Sequence, residues 1–90
     1  RSPMQVVIEI TLYPLHNDYI AAVDDLLARL NAQSEVAVTT NRVSTLLHGE
    51  YVQAMTLVQR VIPEIHEKWG EGAFVLKILP GAERSINGYS

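Results

Sequence analysis

No cysteine occurs in the ninety residues. That one absence removes a disulfide framework, a thiolate metal site and a cysteine nucleophile. Positive charge is also scarce: seven Lys+Arg stand against ten Asp+Glu, a formal net charge of −3. The basic excess that neutralises phosphates is missing, so a nucleic-acid partner is not expected. No apolar run approaches the roughly 18–20 residues of a membrane span, and no signal-peptide core opens the chain. Repeats and low-complexity tracts are absent as well. What is present is a 10.0 kDa chain of which 48 % is hydrophobic. Typical domains run to about 100–150 residues, so the expectation is one small cytoplasmic domain without a membrane or nucleic-acid partner. A chain this short buries only about two-thirds of its unfolded surface, which makes a second copy a natural source of further burial.

Residues 1–3 (Arg-Ser-Pro) read as a cloning remnant before a native Met4, residues 4–80 as the domain, and residues 81–90 as a polar, flexible C-terminal tail. Within the domain, Val6, Ile8, Ile10 and Leu12 alternate with Val7, Glu9, Thr11 and Tyr13. Period two with β-branched residues predicts a strand, ended by Pro14. Asn17 and Asp18 offer N-cap oxygens to an amphipathic helix. Its apolar residues are Ile20, Val23, Leu26, Leu27 and Leu30, with Asp24, Asp25 and Arg29 on the other face. Glu35–Thr40 and Val43–His48 predict two strands joined by a turn at Asn41-Arg42. A second helix is expected from about Glu50 to Trp69, with the stripe Met55, Val58, Ile62, Ile65 and Trp69 and a kink where Pro63 removes a backbone donor. Ala73–Leu79 reads as the fourth strand.

The order β-α-β-β-α-β with right-handed crossovers gives an α+β, ferredoxin-like sandwich: a four-stranded antiparallel sheet with two helices on one face. The first and third strands are central neighbours. Val6, Ile8, Ile10, Leu12, Val36, Val38, Val43, Thr45 and Leu47 are assigned to the covered face. The open face then carries Val7, Glu9, Thr11, Tyr13, Ala37, Thr39, Ser44, Leu46, His48, Val75 and Lys77. That mixture suits a partly buried pocket or a subunit interface.

Glu9, mid-strand on a central strand, needs a partner if its face is covered, because an unpaired buried carboxylate is costly. Lys77 on the fourth strand and a ligand amino group or cation are both eligible, and simple exposure is the third reading. Ser44 and Thr45 are either ordinary strand residues or hydrogen-bond donors to a ligand. Tyr13 either closes a pocket rim or caps the core. His16, His48 and His66 share no metal-ligand spacing, and no metal or cofactor is expected. No nucleophile–base set or phosphate loop stands out, so an enzyme has little to rest on. The weaker enzymatic option would use His48 as an acid-base group.

Thr11-Leu12-Tyr13-Pro14-Leu15 resembles the (S/T)-L-Y-P-L segment that ends the first strand in the YkoF-like thiamine-binding family. Val43-Ser44-Thr45, followed by Leu47 and Gly49-Glu50, is similar to that family's M-S-T-x-(I/L)-x-G-(D/E) element. Glu35-Val36-Ala37-Val38 matches its short V-E-V strand, and Tyr19-Ile20 the opening of its first helix. The resemblance spans Val6 to about Ile78. His16 stands where the family usually has Gly, and Val43 replaces Met.

This resemblance implies a ferredoxin-like fold and assembly through the sheets into homodimers or homotetramers. It also implies non-catalytic binding of thiamine or its hydroxymethylpyrimidine moiety. The candidate ligand-binding residues, read from the sheet strands, are Glu9, Thr11, Tyr13, Ser44, Thr45, Leu46 and His48. In this picture Glu9 accepts from the ring's amino group, while Thr11, Ser44 and Thr45 donate to ring nitrogens. Leu46 and Tyr13 sandwich the ring. The alternative is a structural or regulatory assembly module that takes no small ligand.

Overall fold

A computed structural model describes residues 4–15, 18–41 and 44–81 of the chain. The leader 1–3, His16, Asn17, Arg42, Val43 and positions 82–90 of the tail lie outside the described residues. The elements are β1 (Gln5–Pro14), α1 (Tyr19–Leu30), β2 (Ala37–Thr40), β3 (Thr45–Glu50), α2 (Tyr51–Trp69) and β4 (Gly72–Pro80). They build one antiparallel sheet in the order β2-β3-β1-β4. The β-α-β-β-α-β expectation holds in full.

Alternation along β1 sorts the two faces. Val6, Ile8 and Ile10, each at most 1 % exposed, join Leu47 of β3 in one core with Leu26 and Leu30 of α1 and Ala54, Leu57, Val58, Val61 and Ile65 of α2. Both helices therefore cover the same face. Fully burying a side chain such as Ile8 or Leu47 contributes about 1.5–3 kcal/mol, so this face carries most of the fold's stability. The register fixes the opposite face row by row. Thr39, Leu46, Glu9 and Lys77 lie across one line, and Ala37, His48, Val7 and Leu79 across the next.

Three local expectations shift, each for an identifiable reason. In α1 the buried row is Ala22, Leu26 and Leu30, at i, i+4 spacing, while Ile20 is 66 % exposed. Ile20 lies two residues before Ala22, about 200° around the helix, and so faces away from the core. In α2 the centre of the buried face is Ala54, Leu57, Val58, Val61 and Ile65, and Met55, Ile62 and Trp69 form its half-buried flank. The second strand begins at Ala37 and not at Glu35. The Gln33 side chain takes both backbone groups of Val36, donating to its carbonyl at 3.0 Å and accepting from its N–H at 2.8 Å. The β2–β3 ladder reaches Thr40↔Thr45, and the Asn41 N–H donates to the Ser44 carbonyl at 2.8 Å. The turn expected at Asn41-Arg42 takes in Arg42, which lies outside the described residues.

Helix ends are tied by neighbouring groups. Glu50 caps α2, its carboxylate accepting from the N–H groups of Val52 and Gln53, both at 3.1 Å. Gly70, at φ 87° and ψ −150°, takes a positive-φ backbone conformation open essentially to glycine where the helix ends, and its N–H donates to the His66 carbonyl at 2.8 Å. Asp18 holds the N-cap position of α1 but makes no side-chain capping bond.

Asp25 does not simply face solvent. At the α1–α2 seam its carboxylate accepts from the Trp69 indole N–H at 2.8 Å and from Arg29 Nε at 3.0 Å, with Lys68 Nζ 3.7 Å away. Arg29 also bonds Glu64 of α2 at 2.9 Å. Burial pushes the Asp25 carboxyl upward, but the hydrogen bonds from Trp69 and Arg29 and the nearby positive charges outweigh it. The net effect holds the group below its ordinary value of 3.8.

Candidate functional site

The two ladders of β1 end at different points. Pairing with β3 stops at Ile10↔Thr45, whereas pairing with β4 continues to Pro14↔Gly72. The cause is the β2–β3 hairpin, which turns back just before Thr45. Residues Thr11–Pro14 therefore overhang the sheet on the side where β3 would otherwise continue. A cavity of about 500 Å³ occupies that notch. Its volume is in the range of small-molecule sites.

Two elements and the hairpin line it. The β1 overhang supplies Ile10, Thr11, Leu12, Tyr13 and Pro14, α1 supplies Tyr19, Val23, Leu26 and Leu27, and the hairpin supplies Thr40, Asn41, Ser44 and Thr45. Leu12, Val23, Leu26 and Leu27 make an apolar wall continuous with the core. Tyr13 and Tyr19, 56 % and 55 % exposed, stand at the mouth. Ser44 and Thr45 are buried. A flat ring can lie against such a wall while its polar edge meets the hydroxyls.

Of the seven residues singled out from the sequence, Thr11, Tyr13, Ser44 and Thr45 line this cavity. Glu9 stands behind it. Its Oε2 accepts from the Ser44 hydroxyl at 2.9 Å, and its Oε1 lies 3.6 Å from Lys77 Nζ. The Glu9–Lys77 pair, one of the three readings open from the sequence, is thus present, and Ser44 links that pair to the notch. With Lys77 at 56 % side-chain exposure the ion pair itself adds little stability.

Leu46 and His48 lie elsewhere on the open face. Leu46 is opposite Glu9 and buried, and His48 is opposite Val7 and Ala37, one row further from the notch. The His48 Nε2 is buried and has no hydrogen-bond partner among the described residues.

The α1 contribution carries no site signal of its own in the apolar spacing of the helix. Val23, Leu26 and Leu27 carry the same helical spacing as core residues, and only the side toward the notch distinguishes them. Tyr19 did carry a signal, as the aromatic opening the first helix.

A second, smaller cavity of about 270 Å³ lies against the outer flank of α2. Gln33, Glu35, Val36, Val52, Gln53, Thr56, Leu57 and Arg60 line it. It contains none of the seven residues. Among the described residues no group of three or more His, Asp or Glu is placed to hold a metal ion. Among them, too, no helix is long and apolar enough to cross a membrane.

Comparison with solved structures finds the same fold in several bacterial proteins. A Streptococcus pneumoniae protein superimposes with a TM-score of 0.83 at 25 % identity, covering 94 % of this chain and 96 % of that one. A Thermotoga maritima protein proposed for thiamine biosynthesis or salvage gives 0.80 at 15 % identity, covering 94 % of both chains. A domain of unknown function from Bacillus cereus gives 0.73 at 22 % identity, over 93 % and 85 %. No curated protein matches the chain. The model of the YKOF-related family matches residues 5–71, which takes in β1 through α2, and the chain belongs to that family.

Proposed function

We propose that this protein binds thiamine or its hydroxymethylpyrimidine moiety in the notch beneath the β1 overhang. It acts as a cytoplasmic homo-oligomer and catalyses no reaction. The observation that carries the reading is the cavity itself. A wall of Leu12, Val23, Leu26 and Leu27 stands beside the hydroxyls of Thr11, Thr40, Ser44 and Thr45, with two tyrosines at its mouth. An aminopyrimidine has two apolar ring faces and an edge of donors and acceptors, which is the complement of that lining. Membership of the YKOF-related family and the Thermotoga relative proposed for thiamine biosynthesis or salvage support the same ligand class.

The groups around the notch suit binding better than turnover. Among the described residues hydroxyls and apolar side chains line it, and the Glu9 carboxylate behind it is engaged by Ser44 and Lys77. Self-association draws support from the sheet face that the helices leave uncovered, where Val75 is 54 % exposed beside Thr11.

Calorimetry of the purified protein with thiamine and with hydroxymethylpyrimidine tests the proposal. Saturable heat with at least one of them is expected. No heat and no thermal stabilisation at millimolar ligand refutes it, and a stable oligomer under those conditions leaves the assembly module in its place.

A further inference from the structure

Among the described residues, Ser44 both lines the notch and, through its hydroxyl, donates to Glu9. A serine has one hydroxyl hydrogen and two oxygen lone pairs, and an ionised carboxylate can only accept. The 2.9 Å contact between Ser44 Oγ and Glu9 Oε2 must therefore use the serine hydrogen. Lys77 Nζ, which can only donate, lies 3.6 Å from the other carboxylate oxygen, so the carboxylate faces a donor on each side. Ser44 is only 9 % exposed, so water gives it little alternative. The oxygen is left with lone pairs alone to offer the cavity.

Resting on the binding reading of the notch, we infer that Glu9 sets the hydrogen-bond polarity of the site through Ser44. The site then selects a heteroaromatic ring that turns an amino group toward Ser44 over one that presents an oxo group there. Glu9 is a positioning residue in this arrangement and need not touch the ligand. This reverses the roles expected from the sequence, in which Glu9 accepts from the amino group and Ser44 donates to a ring nitrogen. An oxo group at the same place sets two acceptors against each other. Both are desolvated, which typically costs an order of magnitude or more in affinity.

The test compares thiamine with oxythiamine, in which the ring amino group is replaced by oxo and the remaining charge is unchanged. Titrations use the wild-type chain, Glu9→Val and Ser44→Ala, with thermal melts to establish that each variant is folded. Wild type is expected to prefer thiamine by about ten-fold or more. In Glu9→Val the hydroxyl is freed to donate or accept, and the preference should collapse to within about three-fold, because a hydroxyl serves both partners. Ser44→Ala should lose the preference as well, which keeps the test decisive if Glu9→Val does not fold. Equal binding of the two ligands by wild type overturns the polarity assignment alone, as does a full preference retained in a folded Glu9→Val. If neither ligand binds wild type, the binding reading falls and the selectivity falls with it.

Discussion

Trp69→Phe removes the indole hydrogen bond in the α1–α2 seam and tests how the helices are held over the sheet. The substitution keeps an aromatic ring in place but removes the indole N–H that donates to Asp25 Oδ2 at 2.8 Å. A hydrogen bond to a charged group contributes about 1.5–3 kcal/mol. Asp25 keeps Arg29 at 3.0 Å, and its side chain is 17 % exposed, so the lower end of that range applies. The smaller ring forfeits roughly another 0.5 kcal/mol of apolar burial. The expected loss is about 2 kcal/mol, or a fall in Tm of about 8–16 °C for a domain of this size. A chain of this length has roughly 4.5–13 kcal/mol of stability in all, so the loss is readily measured.

The pH dependence separates the bond from the ring. The folded-state pKa of Asp25 lies below its ordinary value of 3.8, so its contribution is complete above that value and lost as pH falls through the folded value. The gap between wild type and variant should therefore be full at neutral pH and narrow below about pH 4. Urea titrations followed by circular dichroism at several pH values measure it. A gap smaller than about 0.5 kcal/mol at neutral pH, or one that stays constant into acid, refutes the assignment.

Two other substitutions probe separate parts of the account. Glu50→Ala removes the α2 cap and should cost about 1 kcal/mol, seen as a lower urea midpoint with an unchanged slope. Val75→Lys places a charge on the open sheet face beside Thr11. It should lower the mass seen by light scattering from oligomer to monomer without changing the circular dichroism spectrum, and a monomeric wild type contradicts assembly through this face.

The architecture was legible because burial in this fold follows short periods. Alternation along Val6–Tyr13 separates the two faces of β1 residue by residue. The covered-face set from Val6 to Leu12, with Val36, Val38 and Leu47, all packs into or against the core. Helix faces were less legible, because α1 is apolar over more than one face. Ile20 and Leu26 look alike in sequence, yet one is exposed and the other buried. The seam role of Asp25 depends on Trp69, 44 positions later, and no local pattern couples them.

The site itself was half visible. Thr11, Tyr13, Ser44 and Thr45 could be named from strand parity and motif, but the notch they line exists only because β1 outruns β3. That overhang is a property of register. Register is decided by pairing across the sheet and by where the hairpin turns, not by either strand alone. For the same reason Leu46 and His48 share a face with Glu9 while lying outside the cavity.

The central claim is that the notch beside Thr11–Pro14 is where the ligand binds. An assigned amide correlation spectrum, recorded while thiamine is added, addresses it most directly. The account predicts that the largest shifts fall on Thr11, Tyr13, Thr40, Asn41, Ser44 and Thr45, while Gln53, Thr56 and Arg60 beside the second cavity stay in place. Shifts centred on Gln53–Arg60 or on the open face around His48, or no shifts at saturating thiamine, contradict it.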